Sequence, residues 1–143
     1  MIDWVELARS MHGHAGVLAA AALLHPVVFL RPGRPLSRPQ RWAVGAGAGM
    51  LAAVYASGLA LYPGYRERER PALMQQDFPL ALWFERKEHL AFVAVVLAGT
   101  AALMVLSRRD GSHNRVARWM LGVSAALVLV VAAVGSVVGV WTR

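Results

Sequence analysis

Four apolar blocks, at about 11–30, 42–62, 83–106 and 119–141, alternate with short polar stretches. Each is long enough to carry a helix across ~30 Å of hydrocarbon at ~1.5 Å per residue. The third reaches that length by starting upstream of Leu90 and taking in the polar run Glu85-Arg86-Lys87-Glu88-His89. The Ala, Val, Leu and Gly of these blocks lack the strict alternation of a barrel strand, and only helices and closed barrels satisfy their backbone groups in lipid. The pattern predicts an all-α fold, an integral membrane four-helix bundle, with residues 1–143 forming a single four-span domain.

Punctuation along the chain refines this outline. Asp3-x-x-Glu6 resembles a capping box and predicts a helix from about Trp4 into the first span, with Trp4 as an interfacial anchor. Pro26 cannot donate to the Ala22 carbonyl, so a kink or a freed carbonyl is expected late in that span. Arg31-Pro-Gly-Arg-Pro-Leu-Ser-Arg-Pro39 is a turn-rich linker. Arg66-Glu-Arg-Glu-Arg70 reads as a helix end, and Asp77-Phe-Pro79 as a helix start. Gly45/Gly49 and Gly135/Gly139 are small-xxx-small faces that admit close helix packing and are candidate surfaces for homo- or hetero-oligomers.

Composition fits a membrane protein: 57% of residues are hydrophobic and the mean hydropathy is +0.47. The first span lacks a basic leader and carries acids before it, so it reads as a span rather than a cleaved signal peptide. With no cysteine, disulfides, thiolate metal sites, iron–sulfur clusters and covalent haem attachment are excluded. The net charge of +7 lies at span ends and does not mark a nucleic-acid binder. Arg31, Arg34, Arg38, Arg41, Arg108, Arg109, Arg115 and Arg118 fall on one side, and the seven other basic residues on the opposite side. The Arg-rich loops are dense and nearly free of acid, whereas 62–89 balances five bases with five acids. The expectation is a bacterial-type inner-membrane protein, both termini outside, with the lipid bilayer as its first partner.

Candidate chemistry rests on ionisable groups in or beside the spans, which are costly in hydrocarbon. His14 and His25 fall within ~20° of one helical face, and His12 points nearly opposite His14. Glu85, His89, Val96, Thr100 and Ser107 form one polar stripe on the third span, expected to face the bundle interior. Tyr55 and Tyr62 share a face of the second. Depth matching brings His12 or His14, His89, Glu85, Glu88 and Tyr62 toward one rim. The reading that follows is a haem b ligated by His14 and His89 between facing helices, with Arg66, Arg86 and Lys87 for propionates and Tyr62 or Glu85 orienting an imidazole. The protein would then act in electron transfer or quinone-linked redox, with a quinone or redox-protein partner, alone or within a larger complex. A second haem between His25 and His113 would make a transmembrane wire.

Two other classes stay open. His12, His14, Glu85, Glu88 and His89 supply donors for copper or iron. A structural or assembly subunit would need no cofactor, and its histidines would tolerate replacement.

Met11-His-Gly-His14 and Leu82-Trp-Phe-Glu-Arg-Lys87-Glu-His-Leu90 resemble segments of small four-helix membrane proteins, the HemJ-type protoporphyrinogen oxidases and the CopD-like copper-resistance domains. The resemblance covers the whole layout but few residues in each motif, and the charged 63–89 connection departs from it. It implies a four-helix fold and haem b, without extending to porphyrinogen oxidation.

Overall fold

The computed structural model describes residues 4–141, with side chains through 139. Asp3, and with it the capping-box reading, lies outside the described residues. The chain forms α1 (Trp4–Phe29), α2 (Arg38–Arg68), a short α3 (Arg70–Gln76), α4 (Phe78–Ser107) and α5 (Asn114–Trp141). Four of these, α1, α2, α4 and α5, are long and apolar enough to cross a membrane. Each packs on two neighbours in the cyclic order α1, α2, α4, α5, which leaves α1 and α4 across the diagonal.

Local chemistry sets the boundaries. Ser37 caps α2 in a capping box with Gln40, and Pro39 sits in the first turn, where its missing N–H costs nothing. Asp77 accepts from the Leu80 N–H at 3.0 Å to start α4. The helix of the second span does not stop near Tyr62. It continues through Pro63 to Arg68, and the chain restarts at Arg70 as α3, with Glu69 as the joint and Pro71 in the new first turn.

The interior is lined by small residues. Gly16, Ala19, Ala20, Leu23 and Pro26 of α1 are buried. On α4 the buried set is Ala81, Ala94, Ala98, Ala101, Ala102 and Val105. Ala117, Leu121, Ala125 and Val128 face them from α5, and the buried Ser124 hydroxyl donates to the Ala94 carbonyl at 2.8 Å. Small side chains let helices approach where lipid supplies no hydrophobic drive between them. Gly47 is the closest case. A Cβ there would stand 3.0 Å from the Ala22 carbonyl oxygen, the carbonyl that Pro26 leaves without its intrahelical donor. The proline and the glycine thus act together at the α1–α2 crossing.

Two expected inward stripes point outward. His14, Leu18, Ala21 and His25 are exposed, while Gly16, Ala19 and Leu23 on the other side of α1 are buried. His89, Val96 and Ser107 are likewise exposed on α4, with Glu85 and Thr100 only partly covered. Alanine, rather than the polar stripe, marks the interior face of that helix. Of the small-residue faces, Gly45 nears Leu106 within the chain, whereas Gly49, Gly135 and Gly139 have open space where a Cβ would lie.

Candidate site at the charged end of the bundle

The start of α1, the end of α2, α3 and the start of α4 meet at one end, where ion pairs and aromatic contacts surround a small apolar cluster of Tyr65, Leu73, Ala81 and Val138. Arg9 pairs with Glu69, and Arg70 with Glu85. Lys87 Nζ lies 2.7 Å from Glu88 Oε1 and 4.1 Å from the centre of the Phe84 ring. Phe84 packs on Tyr65 at 4.2 Å, and Tyr65 on Tyr62 at 6.0 Å.

His12 is the histidine of the Met11–His14 motif that turns inward. Its Nδ1 is 2.9 Å from Ser57 Oγ, and that hydroxyl already donates to the Val54 carbonyl at 2.7 Å. With its single proton committed, the serine oxygen accepts from His12 Nδ1–H, which leaves Nε2 as the imidazole's acceptor. Gly58 makes room for the ring, since a Cβ there would come within 3.0 Å of His12 Cε1. Lys87 and Glu88 both lie within electrostatic reach of this imidazole.

Beside this cluster opens a cleft of about 430 Å³, within the range of small-molecule sites (roughly 300–1,000 Å³). Tyr62, Arg66 and Arg70 line it from α2 and α3, Glu85, Glu88 and His89 from α4, and Leu59 on the side toward the apolar span. Arg70 and Glu88 are engaged in ion pairs, while Arg66 is exposed. Tyr65 is 4% exposed, and its hydroxyl is buried without a hydrogen-bond partner among the described residues. Tyr62, Glu85, Arg70 and Glu69 are its electrostatic neighbours. A buried phenol that folding leaves unsatisfied costs about 1–3 kcal/mol.

The rim expected from the sequence therefore assembles around Tyr62, Arg66, Glu85, Glu88 and His89, with Lys87 and His12 adjoining. His14 does not join it. It faces outward on α1, diagonal to α4, and its Nδ1–H donates to the Ser10 carbonyl at 2.7 Å, so a single chain does not present His14 and His89 to each other across a helix interface. Arg86 is exposed on α4. His25 is exposed and meets Phe29 edge-on at 5.4 Å, and His113 is half-buried in the loop before α5. Among the described residues no three His, Asp or Glu side chains gather closely enough to hold a metal ion. Tyr65 and Arg70 were not singled out from the sequence. The i, i+3 spacing of Tyr62 and Tyr65 was the available signal for the first, whereas Arg70 depends on the break at Glu69. Comparisons with protein families, with curated proteins and with solved structures return no match.

Proposed function

We propose that this chain is a membrane-embedded binding protein for a lipid-soluble, quinone-type headgroup, taken up in the cleft at its charged end. The observation that carries this reading is a cleft whose lining joins the hydrogen-bond donors Tyr62, Arg66 and His89 to the carboxylates Glu85 and Glu88. A quinone headgroup is planar, neutral and rich in acceptors. Tyr62, His89 and the Arg66 guanidinium supply donors to its carbonyls, while Glu85, Glu88 and the imidazole supply groups that exchange protons in a partly dry site. Leu59, 48% exposed, gives the cleft an apolar side along which an isoprenoid tail continues into the bilayer.

Haem b is a second reading, favoured by one feature. Both His12 and His14 commit Nδ1–H to an oxygen, which leaves Nε2 as a ligand lone pair, the arrangement common to metal-bound imidazoles. Since His14 faces outward, such a haem would sit between this chain and a partner.

The test uses the full chain in detergent. A short-chain ubiquinone analogue should quench tryptophan fluorescence saturably, and His89→Gln should weaken that binding about tenfold. Non-saturable quenching in the wild type would overturn the reading. An alpha band in the dithionite-reduced spectrum of the same sample would favour haem instead.

A further inference from the structure

The charges of this molecule are divided unequally between its ends. Among the described residues, the charged end holds six basic groups (Arg9, Arg66, Arg68, Arg70, Arg86, Lys87) and six acidic ones. The opposite end holds eight arginines and one acid, Asp110. Among the described residues, therefore, the charged end is neutral and an excess of seven positive charges sits at the arginine end.

Several features turn that charge outward and hold it in place. Arg41 bends in to donate to the Leu106 carbonyl at 2.7 Å, but the other seven arginines there are exposed. Asp110 is occupied by its own loop, accepting from the Ser112 N–H at 3.0 Å and hydroxyl at 2.7 Å. The loops that carry the arginines are tied together, with the Asn114 amide donating to the Arg31 and Arg34 carbonyls and Gly33 N–H to the Gly111 carbonyl. Trp42 and Trp119, 64% and 72% exposed, lie in the second turns of α2 and α5 at this end. Exposed tryptophans at span ends mark the headgroup level of a bilayer. The arginines beside them stand at the depth of lipid phosphates.

We propose that the arginine end is a docking surface for anionic phospholipid headgroups. Guanidinium matches phosphate in a forked, two-bond geometry that lysine does not reproduce. Each such cation near an acidic leaflet favours association by about fivefold. Depth selects lipid over a soluble polyanion, because the tryptophans place the cations within the headgroup layer rather than above it.

The experiment purifies the full chain from nanodiscs of mixed phosphatidylcholine and phosphatidylglycerol and measures the retained lipids by mass spectrometry. The wild type should retain phosphatidylglycerol severalfold above its bulk share, and the enrichment should fall as salt is raised. A triple change, Arg109→Gln, Arg115→Gln and Arg118→Gln, should abolish most of it. The matched triple change at the other end, Arg66→Gln, Arg68→Gln and Arg86→Gln, should leave it intact. Helical circular dichroism establishes that each variant is folded. Equal loss from both triples, no enrichment in the wild type, or binding to heparin without phosphatidylglycerol enrichment would each overturn the proposal.

Discussion

The two ends of this bundle are closed by different chemistry. At the arginine end, side chains and backbone N–H groups bond to carbonyls. Asn114 ties two carbonyls of the first loop, Gly33 reaches Gly111, and Arg41 caps a carbonyl in the last turn of α4. At the other end Arg9–Glu69 and Arg70–Glu85 tie elements together side chain to side chain, and Lys87 pairs with its neighbour Glu88 within α4. The first pattern satisfies groups that any helix end must satisfy. The second opens a cleft among charges, and each end keeps one buried polar atom without a partner among the described residues, Tyr65 Oη here and Arg41 Nε at the other. These ion pairs are partly buried, so their attraction is offset by the cost of taking the charges out of water. The proposed function assigns the cleft at this end to a ligand.

Substitutions can break that contrast. The largest effect should come from Gly111, whose φ is +75° and where a Cβ would lie 2.5 Å from the Arg34 carbonyl oxygen. Gly111→Ala strains a left-handed residue and pushes on backbone, so it should cost about 3 kcal/mol, read as a lower thermal midpoint. Asn114→Ala removes two bonds from a residue 3% exposed and should cost about 2 kcal/mol in the same assay. At the charged end Tyr65→Phe should behave differently. Removing a hydroxyl that folding does not satisfy should leave the midpoint unchanged or slightly raised, and because Tyr65 does not line the cleft quinone-analogue binding should be retained. The smallest effect belongs to Asp110, where the Ser112 hydroxyl and N–H hold the carboxyl below its usual range. Its folded-state pKa is depressed, so the loop contact is present above about pH 4 and is lost as pH falls through the folded value. Faster amide exchange at Ser112 in acid, relative to Asp110→Asn at the same pH, would reveal it.

Much of the scaffold was legible in the sequence because membrane helices are written in long apolar blocks and their ends in Pro, Gly, Ser and Asp. The 31–39 linker, the Asp77–Pro79 start and the convergence of Tyr62, Glu85, Glu88 and His89 at one rim all follow from such signals. Helix orientation was not read correctly. In a soluble protein the apolar stripe faces in, but here both faces of α1 are apolar, and periodicity cannot separate Gly16–Ala19–Leu23 from Leu18–Ala21–His25. Residue size carried the information instead, since close helix contacts select Gly and Ala. Weighting size over polarity turns His12 inward and His14 outward, and sets the alanines of α4, not Glu85–Ser107, against the core. The short α3 was hidden for another reason. Pro71 is the turn signal beside Arg66–Arg70 and ends α2 by removing a backbone donor, but it does not by itself reveal that the chain resumes as a helix at Arg70.

The proposed division of labour is that the charged end binds a quinone headgroup and the arginine end does not share that site. It is tested most directly by titrating the short-chain ubiquinone analogue into wild type, Arg66→Gln and Arg109→Gln, following tryptophan quenching. The wild type should bind saturably, Arg66→Gln should weaken binding about tenfold, and Arg109→Gln should leave it unchanged. Equal effects of the two substitutions, or no effect from Arg66→Gln, would contradict that division.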